Sequence, residues 1–325
     1  MSVFTLRFDM RLSSGDASEL YAAALEMVQW GEQHGAAVAL VSEHHASPDG
    51  YLPTPLVLAS AMAARTQSLR IQVAALLLPL HDPIELAEQM AVLDLLSRGR
   101  VSYVLGVGYR REEYAMFGRD FSRRGRRMDE CLRVLRAAFT GDEFEFEGRR
   151  VRVLPQPATP GGPVLLMAGN SSAAVRRAAR FGLGMLTQGG DPSLEALYQE
   201  ECRKAGTSPG LFINPPPGSV TSAFVADDPD RAWSEIGPYL LHDANMYAAW
   251  LGSQGQAASK SSASTVAALQ SENGPYRIFT PEEAITYLSQ HSVLMLHPLC
   301  GGLPPKLAWP YLETFASRVL PRLSP

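Results

Sequence analysis

Three consecutive residues with ionisable side chains, Glu43, His44 and His45, stand directly after a short apolar run of this sequence. The run, "AAVALVS", is typical of a buried strand, and a loop rich in Pro and Gly follows it. A carboxylate and two imidazoles at a strand end could bind a metal ion, transfer protons or hold the loop in place. Their surroundings in the sequence must decide between these roles.

A metal site is the weakest interpretation. Neighbouring residues of an extended chain point to opposite sides, so Glu43 and His45 can share a face that excludes His44. A further ligand would have to come from His81 or His297, and no spacing motif connects either residue to the loop. We therefore expect no metal here. For each histidine alone a structural role is the simpler interpretation, whereas proton transfer stays open for the pair.

A second candidate site is the stretch "AGNSSA", which precedes a predicted helix. Asn170 and Ser171 are good helix N-caps, and Gly169 lets a ligand approach the backbone closely. A helix N-terminus with free N–H groups binds anions, and phosphate is the usual occupant. The alternative is a plain N-cap without a ligand. The glycine favours the phosphate site.

A third strand-end loop, "GVGYRREEY", contains Gly106 and Gly108. The two glycines suit a flat ring that approaches the backbone, although a tight turn would equally explain them. No third glycine completes a dinucleotide-binding fingerprint. The arginines between 110 and 136 are typical of a solvated helix face, from which one or two could reach a phosphate.

The elements that must position these loops alternate between short apolar strands and helices. The predicted strands lie at 3–8, 36–42, 70–78, 100–108, 163–169, 184–188, 219–226 and 292–299. The clearest helix begins after Asp82, with Pro83 in its first turn, and ends at Gly99. Such alternation requires a parallel sheet, and about eight strand–helix units favour a (β/α)8 TIM barrel. We therefore predict an α/β fold with one domain over residues 1–325.

In such a barrel the loops after the strand carboxyl ends form the active site. The three candidate loops and the stretch "LLLPLHDP" after the third strand should therefore line one pocket. Two segments depart from the alternation of strands and helices. Residues 144–154 alternate in the manner of a hairpin and are predicted as an insertion. Residues 252–274, rich in Ser, Ala, Gln and Gly, are predicted as a mobile loop and a candidate lid.

The composition excludes several classes of protein. The chain has 325 residues, of which 46% are hydrophobic, and a formal net charge of −4. This charge does not suggest a nucleic acid or an acidic membrane as partner. The three cysteines lack paired spacing, which favours a reducing compartment. No signal-peptide stretch or long apolar run is present, so we expect a cytoplasmic protein.

Taken together, the candidate loops resemble the bacterial-luciferase-like family of flavin-dependent oxidoreductases. The matching stretches include "SEHHASPDGYLPTPLVL", "RVSYVLGVGYRREEYAMFG" and "GPVLLMAGNSSAAVRRAARFG". They cover roughly residues 37–190, and beyond about residue 210 only the strand–helix rhythm remains. The resemblance implies a TIM barrel that binds FMN, or a related deazaflavin, at the loops described, and it implies homodimers.

The resemblance assigns residues one by one. His44 matches the histidine beside the reactive edge of the flavin, where it would support the flavin peroxide. Ala74 and Ala75 match a pair that is joined by a non-prolyl cis peptide under the flavin ring. The other residues implied to bind the cofactor lie around the ring and its phosphate; they are Glu43, Gly106, Val107, Gly108, Tyr109, Ala168, Gly169, Asn170, Ser171 and Ser172.

Val107 departs from the family pattern, because related chains often read Gly-Arg-Gly at this point. The arginine would contact the phosphate as a bidentate partner. Either Arg110 or Arg111 takes its place, or the phosphate is bound weakly, or the cofactor is not standard FMN.

The sequence thus predicts a monooxygenase that uses reduced FMN and O2 to oxygenate a small organic substrate. Because no dinucleotide fingerprint is present, a separate reductase is expected to supply the reduced flavin. The alternatives are a deazaflavin-dependent dehydrogenase on the same fold and a flavin-binding protein without turnover. For the substrate pocket only Tyr247, Trp250 and His297 are suggestive side chains.

Overall fold

A computed structural model describes residues 2–12, 15–216, 218–252 and 258–323. The strands in this part of the chain are β1 (Val3–Phe8), β2 (Val38–Val41), β3 (Arg70–Leu76), β4 (Val101–Leu105), β5 (Phe144–Phe146), β6 (Arg149–Val151), β7 (Val164–Ala168), β8 (Gly184–Leu186), β9 (Phe212–Ile213), β10 (Ser222–Val225), β11 (Tyr276–Phe279) and β12 (Val293–Leu296). The α-helices are α1 (Ala17–Gln33), α2 (Pro55–Arg65), α3 (Pro83–Ser97), α4 (Arg111–Met116), α5 (Arg124–Ala138), α6 (Ser172–Arg180), α7 (Ser193–Ala205), α8 (Pro229–Leu251), α9 (Val266–Glu272), α10 (Pro281–His291) and α11 (Pro305–Arg318). None of these described helices is both long and apolar enough to cross a bilayer.

The helix boundaries follow from local chemistry. At the start of α3, the side chain of Asp82 accepts hydrogen bonds from two backbone N–H groups of the first turn. Pro83 occupies the first helical position, where a missing N–H costs nothing. Gly99, with a φ of +77°, follows the helix in a left-handed conformation. The predicted cap, proline and terminating glycine are therefore confirmed.

The chain forms two compact units. The first contains Met1–Leu40, Ser47–Leu52 and Pro216–Pro325, and the second contains Val41–Ala46 and Pro53–Pro215. The single domain predicted from the sequence stays a prediction, as does the closure of the strands into a ring.

The first unit contains parallel strands in the order β11, β10, β12 and β1. The register places Leu6 of β1 beside Leu296 of β12, and both side chains belong to the core. Beyond the carboxyl end of β1 the chain continues into Asp9 and Arg11, which are also buried. A buried charged segment therefore follows directly on a buried apolar strand.

The second unit contains parallel strands in the order β3, β4, β7, β8 and β9. Val104 of β4 lies between Ala74 of β3 and Leu166 of β7, so the carboxyl ends of these strands lie side by side. The strands β5 and β6 form the predicted antiparallel hairpin. Parallel strands joined by helices confirm the α/β fold class.

All eight predicted strands are present, mostly shorter than predicted, but the sequence did not indicate β9, β11 or α8. The helix α8 contains Gly237 and Pro238, which both argue against a helix in the sequence. Burial of one face of α8, including Ile236 and Leu240, outweighs these local preferences. Part of the predicted mobile loop forms α9, whereas its residues 253–257 lie outside the described residues.

Gly301 stands in the short turn Cys300–Gly302, which packs against α8. Its φ is +61°, and a Cβ at this position would lie 2.0 Å from the carbonyl oxygen of Tyr239. No side chain fits there without a displacement of the backbone. The turn and the helix therefore approach each other at a distance that only glycine permits.

Candidate active site

The loop that contains Glu43 is attached to the carboxyl end of β3 by two hydrogen bonds. Ser42 Oγ donates to the carbonyl oxygen of Ala74 over 2.6 Å, and the Glu43 N–H donates to that of Ala75 over 3.2 Å. The peptide between Ala74 and Ala75 is cis, as the resemblance implied. On the neighbouring strand, Gly106 has no side chain, and a Cβ there would lie 3.1 Å from the Cβ of Ala75.

His44 is held by a buried carboxylate. Its Nδ1 lies 2.8 Å from Oε1 of Glu113, whose side chain is fully buried in α4. The same oxygen also accepts hydrogen bonds from the backbone N–H of His45 and from Nη1 of Arg110. Among the described residues, the second oxygen of Glu113 has no hydrogen-bond partner. One carboxylate oxygen thus fixes both the imidazole and the backbone of the loop.

Arg110 fixes the same loop from its other side. Its Nη1 donates to the carbonyl oxygen of His45 over 2.6 Å, in addition to its contact with Glu113. Because the guanidinium is planar and has several donors, it can hold a backbone carbonyl and a carboxylate together. Arg110 therefore positions the loop and is already occupied by protein groups.

The other nitrogen of His44 faces Tyr109. Nε2 lies 3.2 Å from the tyrosine hydroxyl, and the two rings meet edge to face. A carboxylate can only accept, so its contact with Nδ1 selects the tautomer that carries the proton on that nitrogen. Nε2 is then the atom that can accept a proton. Since Tyr109 is 39% exposed, this side of His44 is the accessible one.

Glu43 and His45 point to the opposite side of the loop from His44, as alternation along an extended chain predicts. Glu43 Oε1 lies 2.7 Å from Nε2 of His45 and 2.9 Å from Nε2 of His81. Its other oxygen accepts the backbone N–H of Leu77 over 2.6 Å. Both oxygens are occupied within the protein, which favours a structural role for Glu43. Its predicted contact with a cofactor stays a prediction.

The charges in this network alter two pKa values. Burial alone raises the pKa of Glu43, but the adjacent His81 and His45 lower it to about 2. Burial lowers the pKa of His81, but the charge of Glu43 outweighs it and raises that pKa above its ordinary value. The network therefore favours the carboxylate form of Glu43 and shifts His81 toward its protonated form.

We expect this pair to make stability depend on pH. A raised histidine pKa stabilises the fold fully below the ordinary pKa of about 6.5, and the stabilisation is lost as the pH rises through the folded value. His81→Gln should remove about 1–2 kcal/mol at pH 6 and less at pH 9. Urea denaturation at both pH values measures this. The exposed His291→Gln is the control, and an equal loss at both pH values would contradict the assignment.

The predicted phosphate turn lies at the same edge of the sheet, because Met167 of β7 pairs with Leu105 of β4. Ser171 is the N-cap of α6, and its Oγ accepts the N–H of Ala174 over 3.2 Å. Asn170 accepts the N–H of Gln188, which ties the turn to the loop after β8. The capping role of Ser171 is confirmed, and anion binding at this turn stays a prediction.

The structure narrows the choice of a substitute for the arginine missing at Val107. Arg110 is buried and occupied by the loop that carries His44. Arg111 lies over the ring of Phe121, with its Cζ 4.5 Å from the ring centroid. Of the two predicted substitutes, Arg111 is the one that remains on the exposed side of α4.

The sequence did not indicate Glu113, because its acidic side chain stands in an arginine-rich stretch that is typical of a solvated helix face. Its contact with His44 spans 69 positions of sequence, so no local pattern reports it. The suggested substrate-pocket residues Tyr247, Trp250 and His297 belong to the first unit, where they surround a different charged cluster.

Comparison with known proteins adds independent information. The sequence model of the family described as luciferase-like monooxygenase matches residues 1–277. The 4-hydroxyprotoasukamycin monooxygenase of Streptomyces nodosus subsp. asukaensis is 28% identical over 244 residues, which cover 70% of this chain and 65% of that protein. An uncharacterised protein of Mycobacterium tuberculosis is 38% identical over 141 residues, or 42% of this chain and 48% of that protein. The chain thus spans about half the length of the curated relatives it matches.

Two solved structures share the fold along almost the whole chain. The monooxygenase RslO1 from Streptomyces bottropensis gives a TM-score of 0.74 at 20% identity and covers 99% of this chain and 100% of its own. The oxygenating constituent of 3,6-diketocamphane monooxygenase from Pseudomonas putida, in complex with FMN, gives 0.70 at 17% identity, with coverage of 100% and 99%. At these identities the similarity shows the fold alone.

Proposed function

Since the chain belongs to the luciferase-like monooxygenase family, we propose that it uses a bound flavin to insert oxygen into a small organic substrate. The observation that carries the proposal is the pairing of His44 with the buried Glu113. A histidine whose tautomer is fixed by a carboxylate is arranged for proton transfer rather than for loop packing alone.

The residues at this edge of the sheet fit a flavin. Ala74, Ala75 and Gly106 present only small groups where β3 and β4 end, which suits a flat ring against the backbone. Ser171 and Ser172 have exposed side chains at the first turn of α6, which suits a phosphate. A relative named as a monooxygenase and a neighbour solved with FMN support reduced FMN as the cofactor.

When bound, the reduced flavin would supply the chemistry that activates O2 and transfers one oxygen atom. The chain contributes the position of the ring, against Ala74 and Ala75, and the proton equilibrium at Nε2 of His44. Glu113 keeps the Nδ1 proton in place and stabilises the positive charge that His44 gains when Nε2 accepts a proton. Tyr109 lies within hydrogen-bond distance of the same nitrogen and can exchange a proton with it.

The proposal also covers the source of the reduced flavin, the oligomeric state and the location of the protein. A separate reductase supplies the reduced flavin, because the sequence carries no dinucleotide fingerprint. The protein acts as a homodimer in the cytoplasm, as the family resemblance and the composition suggest.

The test supplies pre-reduced FMN under 18O2 together with probe compounds: a linear alkane, a cyclic ketone and a phenol. We expect one of these classes to yield a product that carries one 18O atom per turnover, as mass spectrometry measures. Product formed without oxygen in the presence of an oxidised deazaflavin would replace the proposal by a dehydrogenase. Flavin binding without product from any class would replace it by a non-catalytic flavin-binding protein.

A substitution at Val107 tests whether residue 107 faces the phosphate of the proposed FMN. If the missing guanidinium weakens FMN binding, Val107→Arg should tighten FMN about tenfold relative to riboflavin, which has no phosphate. Titration of both oxidised flavins by fluorescence quenching measures this difference. Val107→Leu is the control for altered packing. Equal shifts for FMN and riboflavin would mean that residue 107 does not face the phosphate.

A further inference from the structure

A buried network of charged residues follows the carboxyl end of β1 in the first unit, and the proposed reaction does not use it. The guanidinium of Arg11, whose side chain is 0% exposed, stands at its centre. Its Nε donates to Asp243 and its Nη1 donates to Asp49, both over 2.6 Å. Burial of such charges is costly, so a network of this kind calls for a reason beyond packing.

Four buried polar atoms in this unit have no hydrogen-bond partner among the described residues: Nη2 of Arg11, Nε2 of His297, Oγ1 of Thr5 and Nε1 of Trp30. Thr5 lies on β1 and His297 directly follows β12, the strand that pairs with β1. Each unsatisfied buried polar group costs about 1–3 kcal/mol, and native proteins rarely keep several together. Two of them, on Arg11 and His297, belong to residues that follow the carboxyl ends of the paired strands β1 and β12, and we take this end of the strands as the candidate site.

Aromatic rings surround the guanidinium of Arg11. The ring centroids of Tyr51 and Trp250 lie 4.6 Å from its Cζ, and that of Tyr247 lies at 5.2 Å. Trp250, in the last turn of α8, is only half-buried, so it is the wall that can move most easily. The surroundings of Arg11 therefore combine an unsatisfied donor with an apolar, aromatic lining.

The charge balance of the network selects the kind of ligand. Two arginines, Arg7 and Arg11, stand against three aspartates, Asp9, Asp49 and Asp243. Burial lowers the pKa of His297 to about 4, so this residue adds no charge at neutral pH. Even with His242, which contacts Asp49 over 2.9 Å, counted as a third cation, the network has no net positive charge and does not favour an anion. A guanidinium offers only donors, so the ligand must present an acceptor.

A metal ion fits this cluster less well. Asp243, His297 and Cys300 bring three potential ligand atoms within 4.8 Å of one another. However, both oxygens of Asp243 are occupied, one by Arg11 and the other by the hydroxyl of Tyr276. A divalent cation would also lie close to a guanidinium.

We propose that Nη2 of Arg11 binds the carbonyl oxygen of an uncharged organic ligand, whose apolar body packs against Tyr51, Tyr247 and Trp250. The carboxyl ends of parallel strands are where α/β proteins bind ligands, and this cluster follows the carboxyl ends of β1 and β12. The assignment does not depend on the proposed function, because it rests on the residues around Arg11 alone. The ligand class is that of ketones and related carbonyl compounds with an apolar ring.

The test compares two ligands that differ only in the acceptor: acetophenone and α-methylstyrene, in which a methylene group replaces the carbonyl oxygen. Calorimetric titration uses the flavin-free full chain. We expect the wild type to bind acetophenone about tenfold more tightly, as a hydrogen bond to a charged donor provides. Arg11→Lys should reduce this preference to less than about twofold. Arg7→Lys, in the same network but with its guanidinium fully hydrogen-bonded, should retain it.

Three results would each overturn the proposal: equal binding of the two ligands by the wild type, binding of neither ligand, or an unchanged preference in Arg11→Lys. In these cases Nη2 binds only water. If Arg11→Lys does not fold, the infrared C=O stretch of acetophenone bound to the wild type decides, because a hydrogen bond from a guanidinium lowers its frequency. An unshifted band would also overturn the proposal. Neither measurement uses flavin or oxygen, so a failure of the proposed oxygenation is observed separately.

Discussion

His44→Ala is expected to lower the yield of oxygenated product about a hundredfold, while flavin affinity changes less than about threefold. The imidazole is proposed to transfer a proton at Nε2, and the loss of a group that transfers protons typically costs this much. Its contacts to Glu113 and Tyr109 do not involve the turn proposed to bind the phosphate. Product yield per bound flavin, after mixing with pre-reduced FMN and oxygen, measures the effect.

His45→Gln is the matched control for this experiment. His45 lies on the other side of the loop, where its ring contacts Glu43 and Phe117. We expect the variant to lose stability but to keep its yield per bound flavin within about threefold. An unchanged yield in His44→Ala with flavin still bound would reject the role proposed for His44.

Glu113→Gln is expected to lower the same yield by about ten- to a hundredfold. The amide has the shape of the carboxylate but lacks its charge, so the imidazolium form of His44 loses its counter-charge. Product yield per bound flavin, at saturating pre-reduced FMN, measures the effect.

Glu112→Gln is the control, because Glu112 is the exposed neighbour on the same helix. It should leave the yield unchanged. A Glu113→Gln variant with an unchanged yield per bound flavin would show that Glu113 only supports the loop and does not control the proton of His44.

The sequence contained enough information for the fold class and for part of the site. Hydrophobic runs and caps such as Asp82 indicated the strands and the clearest helix, because these signals depend on neighbouring residues. Alternation along the chain correctly separated His44 from Glu43 and His45. The cis peptide at Ala74 and Ala75 came from the family resemblance and could not have been derived from propensity.

The remaining features depend on contacts between distant residues. Glu113 acquires its role from a partner in another loop, so its own surroundings in the sequence indicate only a helix rich in charges. Gly237 and Pro238 disfavour a helix in the sequence, so α8 was not predicted. The stability of α8 comes from burial against the rest of the first unit. The strand β11, "YRIF", contains an arginine and closely follows the segment rich in Ser, Ala, Gln and Gly, so its sequence did not stand out from the predicted loop. Sequence patterns reflect interactions between residues that are close in the chain. Glu113, α8 and β11 are instead determined by tertiary packing, which such patterns do not contain.

Gly301 has a consequence for protein engineering. It sets how closely the turn approaches α8 at Tyr239, and the same helix carries Asp243, Tyr247 and Trp250 further along. Any larger residue at this position would have to displace the backbone of α8 at Tyr239. In a mutational scan for altered binding of the proposed ligand, we therefore expect position 301 to score like a ligand contact although it acts as a spacer. A library intended to reshape that lining should leave this glycine constant.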